Sequence, residues 1–310
     1  MSVVFGAASI AGLYRPVSRD DALATLEEAW NRGIRAFDTA PHYGVGQSET
    51  LLGEFLQDKP RDSYTLSTKV GRLLYEDPDA QDGTDGFFGV PKRSRIRDYT
   101  RDGVLRSLED SLQRLGLDRV DSLFVHDPED HMDAALDQAA PALAQLRDDG
   151  VISSYGVGTN YAQVAARFVS ETSADRIMVA GRYSLVDRRA DATLLELCAQ
   201  RQVRVQAAGV LNSGLLARPG PGAPFNYEPA PQWLIEVAQQ MARACARYDI
   251  ALPAAAFQFP TRHPAVEAIV IGPGRVTTVQ DTFDQLAVSI PEELWEELEA
   301  LLPDQDRLPS

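Results

Sequence analysis

The 310-residue chain predicts an α/β fold, a closed parallel (β/α)8 barrel forming one domain over 1–310. Three observations lead there. Short apolar runs alternate with amphipathic stretches of helical spacing, as strands joined by helical crossovers do. Eight such units are present, whereas an open doubly wound sheet shows about five or six strands. No break in composition marks off a second domain.

The first strand is expected over 3–7, where VVFGA is apolar. Ser18 then reads as an N-cap and Asp21 sits in the first turn. Leu23, Leu26 and Trp30 recur at helical spacing until Gly33 ends the helix. A strand over 34–38 and a helix over 48–57 follow. The unit then repeats as strand 64–69 with helix 101–115, strand 120–126 with helix 141–149, strand 154–158 with helix 161–171, and strand 176–180 with helix 191–200. Strand 203–207 precedes helices over 232–248 and 253–260, and strand 268–271 precedes a helix over 277–286. Two connections are long for a compact domain: 73–100, rich in Asp, Gly and Arg, and 212–231, rich in Gly and Pro. Such loops after barrel strands are expected to be lids or specificity loops.

Charge narrows the partners. With 30 basic against 45 acidic residues the net charge is −15, which repels phosphodiester backbones and anionic membranes. Neither nucleic acid nor membrane is expected as a partner. Cys198 and Cys245 both lie at helical apolar spacing and read as buried reduced thiols rather than a disulfide or metal clip. The N-terminal run MSVVFGAASIAGLYR has no basic n-region and no spanning length. A cytoplasmic protein is expected; oligomeric state leaves no signal.

Chemistry concentrates at strand ends. Asp38 ends the second strand, Lys69 the third and His126 the fourth, and Tyr43 follows Asp38 in FDTAPHYGVGQSE. Barrel closure brings strand C-termini to one face, so these four are expected to meet. A partly buried ammonium beside a phenol favours the phenolate. A metal-dependent hydrolase is the rival for such a barrel, but there is no His-x-His pair and HDPEDH is a poor ligand set. No metal is expected.

FDTAPHYGVGQSE, LSTKVGRLL, DSLFVHDPED and GVGTN, in that order, resemble the successive motifs of the aldo-keto reductase family over nearly the whole chain. The resemblance implies a catalytic tetrad of Asp38, Tyr43, Lys69 and His126, NAD or NADP as cofactor, and hydride transfer to or from a carbonyl or alcohol carbon. Tyr43 would be the general acid or base, its ordinary pKa of about 10 drawn down by Lys69, with His126 orienting the substrate oxygen. Thr159 and Asn160 match the pair that holds the nicotinamide carboxamide, and Tyr183 the aromatic residue beside it, although Ala180 replaces the usual glutamine. Leu211, Ser213, Gly214 and Leu216 in LNSGLL resemble the pyrophosphate-covering loop. In VIGPGRVTTVQDTF, Gly272 and Arg275 match the adenosine-binding segment. The position that commonly carries a cation for the 2′-phosphate of NADP is Val279 and the usual asparagine is Phe283, so NAD is favoured.

YRPVSRDDA, DGFFGVP, HDPEDH, AGRYSL, VLNSGLL and IPEELWEEL are similar to the family's aldose dehydrogenase branch. That likeness implies oxidation of the anomeric carbon of an aldose such as L-fucose or D-arabinose to a lactone. Pyridoxal 4-dehydrogenase activity, general aldehyde or ketone reduction, and a non-catalytic cofactor-binding subunit are the alternatives. Tyr14, His42, Phe87, Phe88 and Asp127 are the expected substrate contacts, since a sugar needs polar partners beside an aromatic wall. Family members usually open with a hairpin that plugs the barrel floor. Here the first strand starts at once, so side chains are expected to close the floor.

Overall fold

Strands buried on both faces must lie in a sheet covered on each side, and here eight of them close into a ring. In a computed structural model describing residues 2–309, they are β1 (Ser2–Gly6), β2 (Ala36–Asp38), β3 (Thr65–Val70), β4 (Ser122–His126), β5 (Ser154–Thr159), β6 (Arg176–Ala180), β7 (Arg204–Ala208) and β8 (Val266–Ile271). Every neighbouring pair is parallel, and β1 closes on β8 through Val3↔Ile269 and Val4↔Val270.

Alternation along the strands sends every second side chain inward. Val4, Phe124, Met178, Ala268 and Val270 fill the middle of the barrel, apart from the larger core between sheet and helices. Two residues further along the same inward register stand Asp38, Lys69 and His126, at the mouth. Towards the other end polar and charged side chains meet inside the ring. The Glu267 carboxylate lies 3.6 Å from Arg176 and 3.5 Å from Arg204, and accepts from Gln206 Nε2 at 3.1 Å. The Ser122 and Ser154 hydroxyls pair with each other at 2.8 Å.

Local signals place the outer helices. Ser18 Oγ accepts from Asp21 N at 3.1 Å and starts Arg19–Asn31. Thr100 Oγ1 does the same for Gly103 N at 3.1 Å, starting Arg101–Leu115. Each cap contributes about 1 kcal/mol.

Several elements differ from the sequence reading. The connection over 73–100 contains an antiparallel hairpin, Arg72–Glu76 with Arg93–Arg97, whose alternation is hidden under charged residues. The connection over 212–231 folds back as a short ribbon, Pro224–Phe225 with Glu228–Pro229. A further helix, Glu292–Ala300, buries Leu294, Trp295 and Leu298. The helix expected from 141 is preceded by a π-turn over Ala135–Ala139, and that expected from 191 begins as another over Asp191–Leu195. Among the described residues no helix is long and apolar enough to cross a membrane.

Candidate active site

The tetrad assembles because three parallel strands end at one level and one tight turn folds inward. After β2 the chain turns through Tyr43–Gly46, where Gly44 has φ 58°. A Cβ on Gly44 would come 2.6 Å from the Ala11 carbonyl, so glycine lets the turn lie close and direct Tyr43 over the mouth. Asp38 and Lys69 are fully buried, 1% and 2% exposed. The Lys69 ammonium donates to Asp38 Oδ2 at 2.5 Å and to the Thr39 carbonyl at 3.0 Å, and Ser67 Oγ donates to Asp38 Oδ1 at 2.7 Å. Thus the carboxylate is satisfied on both oxygens and the ammonium is held in place. Lys69 Nζ lies 4.7 Å from the centre of the Tyr43 ring, and His126 meets that ring edge-on at 5.7 Å between centroids.

The overall shift of Tyr43 runs opposite to the sequence expectation. Burial pushes its phenol up to about 12, with the Lys69 charge the main opposing influence. Asp38 opposes the ammonium's field, because the same carboxylate that positions Lys69 also disfavours a phenolate beside it. Burial by itself lowers Lys69, but Asp38 and then Tyr43 outweigh it and hold the amine above the ordinary lysine range. The resting site therefore carries a proton on Tyr43 and a charge on Lys69.

The two histidines are neutral. Burial, then Arg72, takes His42 down to about 2. Burial, Arg72 and Lys69 hold His126 well below its ordinary value. Unfolded imidazoles protonate near 6.5 while these do not, so acid favours the unfolded chain. Stability should fall as pH drops below about 6.5, by at most about 1.4 kcal/mol per pH unit for each imidazole. Thermal unfolding between pH 7 and 5 (roughly the ordinary histidine range) checks this: Tm falls in the wild type and falls less in His126→Asn. A flat Tm would mean that the native imidazoles protonate freely.

Two chambers share the mouth. One, of about 600 Å³, holds Tyr43, Lys69 and His126 with His42, Phe87, Asp127, Thr159 and Asn160. The other, about 400 Å³, runs across the ends of β6, β7 and β8 past Leu211, Ser213, Gly214 and Gly272. Tyr14, Tyr43, Asn160, Met178 and Tyr227 line both, so they form one cleft. Several glycines, including Gly6, Gly181 and Gly209, line the second chamber. Gly209 has φ 62°, and a Cβ there would come 3.0 Å from Gly181 N. That cradle, with Asn160 between the chambers, suits a long flat ligand reaching from the barrel edge to the tetrad.

Four expected contacts fall outside the cleft. Tyr183 is buried on the far side of the strand end, 5.1 Å from the Phe259 ring, because Gly181 (φ 68°) turns the chain and Arg182 takes the inward place. Phe88 bonds through its N–H to the Gly12 carbonyl at 3.0 Å and packs its ring on Gly83, leaving Phe87 to face Tyr43. Leu216 is wholly buried under its loop. Arg275 is exposed where Val276–Leu286 begins, beyond Gly272 at the rim.

Other residues were missed. Arg72 donates to Asp127 Oδ2 at 2.6 Å, and Tyr99 OH reaches the carbonyls of His126 and Asp127 at 2.7 and 2.8 Å. Arg182 donates to Asn226 Oδ1 at 2.7 Å, and the Tyr227 N–H to Ser213 Oγ at 3.0 Å, tying the 224–229 ribbon over the cleft. Arg72 stands within LSTKVGRLL, three positions after Lys69. Only its partner at the end of the neighbouring strand β4 reveals its use.

A family model described as the aldo/keto reductase family matches residues 2–303. The chain belongs to the aldo/keto reductase family. Relatives of this reductase include the D-threo-aldose 1-dehydrogenase of a Pseudomonas species, 44% identical over 301 residues that span 95% of this chain and 92% of that one. The pyridoxal 4-dehydrogenase of Microbacterium luteolum is 39% identical over 310 residues, 94% of this chain and 90% of the other. A solved aldo-keto reductase from Bacillus halodurans, in its holo form, shares the fold with a TM-score of 0.79 at 22% identity, covering 97% of this chain and 92% of that chain. This aldo-keto reductase is accordingly an NAD(P)-dependent oxidoreductase.

Proposed function

We propose that this reductase is an aldose 1-dehydrogenase. It oxidises the anomeric carbon of an L-fucose-like or D-arabinose-like sugar to the lactone, with NAD as the preferred acceptor, and it works in the cytoplasm. The observation that carries the reading is the 44% identity to D-threo-aldose 1-dehydrogenase across 95% of the chain. A cleft lined by Tyr14, Tyr43, Phe87, His42 and Asp127 offers the aromatic wall and polar partners a sugar requires.

The second chamber would hold the dinucleotide, with Thr159 and Asn160 at the nicotinamide end and Leu211, Ser213, Gly214 and Gly272 along the phosphates and ribose. The bound dinucleotide supplies the hydride acceptor, or the donor in reverse. His126, neutral and edge-on to Tyr43, offers a hydrogen bond to the anomeric oxygen. Tyr43 exchanges a proton with that oxygen, giving it up in reduction and receiving it in oxidation. Lys69 stabilises the phenolate, and Asp38 keeps Lys69 charged and aimed. Because the phenol is held high, oxidation should speed up as pH rises through the alkaline range, whereas reduction uses the resting protonation state.

The preference for NAD rests on the corner beside Gly272. Val279 is fully buried and brings no cation there, while Arg15, which donates to the Gly274 carbonyl at 2.9 Å, and Arg275 are the charges of the same segment. Without the cation that commonly faces it, a 2′-phosphate gains less. Assaying L-fucose, D-arabinose, pyridoxal and simple aldehydes with NAD and NADP, in both directions, tests both parts. We expect the highest kcat/KM with an aldose and NAD. Absence of aldose oxidation would overturn the substrate reading, and a strong NADP preference the cofactor reading. Turnover of pyridoxal above the sugars would favour the second reading, for which the 39% identical relative speaks.

A further inference from the structure

Asp127 is held more firmly than a rim residue needs to be. Its N–H donates to the Gly158 carbonyl at 2.9 Å, its own carbonyl accepts from Tyr99 OH at 2.8 Å, and Arg72 fixes Oδ2 at 2.6 Å. Its backbone has φ 44°, a left-handed conformation that non-glycine residues adopt when the surroundings impose it. The carboxylate lines the tetrad chamber, with Oδ2 3.4 Å from Nε2 of His126, the imidazole proposed above to hold the reacting oxygen. Arg72 is itself nine-tenths buried. An ion pair built into a cavity wall, strained and anchored on three sides, is costly unless a ligand uses it.

We propose that the Arg72–Asp127 pair is the specificity device of this site: Asp127 accepts a hydrogen bond from the hydroxyl on the carbon next to the reacting one, and Arg72 locks the carboxylate in that position. The anchoring of the carboxylate carries the idea, and the choice of sugars for its test rests on the aldose reading above. A carboxylate beside the His126 donor lies one carbon away from the oxygen that donor holds. A substrate lacking the hydroxyl leaves the carboxylate oxygen that Arg72 does not hold without a partner, so such a substrate is disfavoured at this position. Asp127 is thus a substrate-reading residue and Arg72 a positioning residue.

D-Arabinose and 2-deoxy-D-ribose differ only in the hydroxyl at C2, which makes them the matched probes. With the full-length wild-type enzyme, kcat/KM for D-arabinose should exceed that for 2-deoxy-D-ribose by about 10- to 100-fold. Asp127→Asn, whose amide tolerates the left-handed backbone, should erase most of that ratio, with the loss on D-arabinose far exceeding any change on the deoxy sugar. Arg72→Met should reduce the ratio and leave the alkaline limb of the pH–rate profile unmoved. Equal losses on both sugars in Asp127→Asn, or an unchanged ratio, would overturn the proposal, the former placing Asp127 behind His126 rather than on the substrate. If the wild type oxidises neither sugar, the aldose reading has failed; the reduction of glycolaldehyde against acetaldehyde then applies the same criterion to Asp127.

Discussion

Tyr43→Phe is expected to lower kcat by about 10²- to 10⁴-fold in both directions and to leave dinucleotide affinity within about twofold. Only the hydroxyl is lost. The ring keeps its place against Phe87, stacked at 6.3 Å with 28° between planes, and against His126, so the cleft retains its shape. Steady-state kinetics with fluorescence titration of the cofactor separates the two quantities. A variant with wild-type kcat would remove Tyr43 from the proton transfer, and one that no longer bound cofactor would show that the hydroxyl shapes the cleft.

Lys69→Met carries the other large effect, on chemistry and stability together. The ammonium is the main influence drawing the phenol down against burial, so without it the phenol rises further. The alkaline limb of the oxidation profile should move to higher pH, and activity near neutrality should fall by at least as much as in Tyr43→Phe. Asp38, 1% exposed, would be left as a buried charge without its partner, at a cost of about 3–5 kcal/mol. The amine sits above the ordinary lysine range in the native state, so its stabilising share is complete at neutral pH and is lost only as pH rises through that raised value. Adding Asp38→Asn should restore much of the Tm and none of the activity. Recovery of activity in the double variant would show that the pair is structural alone.

Much of this was legible from the chain itself, for reasons that are local. The tetrad could be read because each member ends a strand or begins the turn after one, and strand ends on a parallel barrel share a face. Ser18 and Thr100 announced their helices because a cap bonds to its own first turn. Hairpin Arg72–Glu76 with Arg93–Arg97 was not legible, since its strands carry arginines on the paired stretch and resemble a polar loop. Tyr183 was misplaced for a related reason: one left-handed glycine before it decides whether it or Arg182 enters the cleft, and nothing in AGRYSL announces that glycine's conformation.

By itself the sequence determined the order of the strands, the residues that meet at the mouth and the family they belong to, because alternation and capping depend on neighbours along the chain. Tertiary structure alone decided the rest. It set the sign of the Tyr43 shift, since desolvation depends on everything packed around a group and the Asp38 that anchors Lys69 also screens it. It joined Arg72 to Asp127, 55 positions apart, because an ion pair between the ends of two neighbouring strands depends on how those strands pair and not on spacing along the chain.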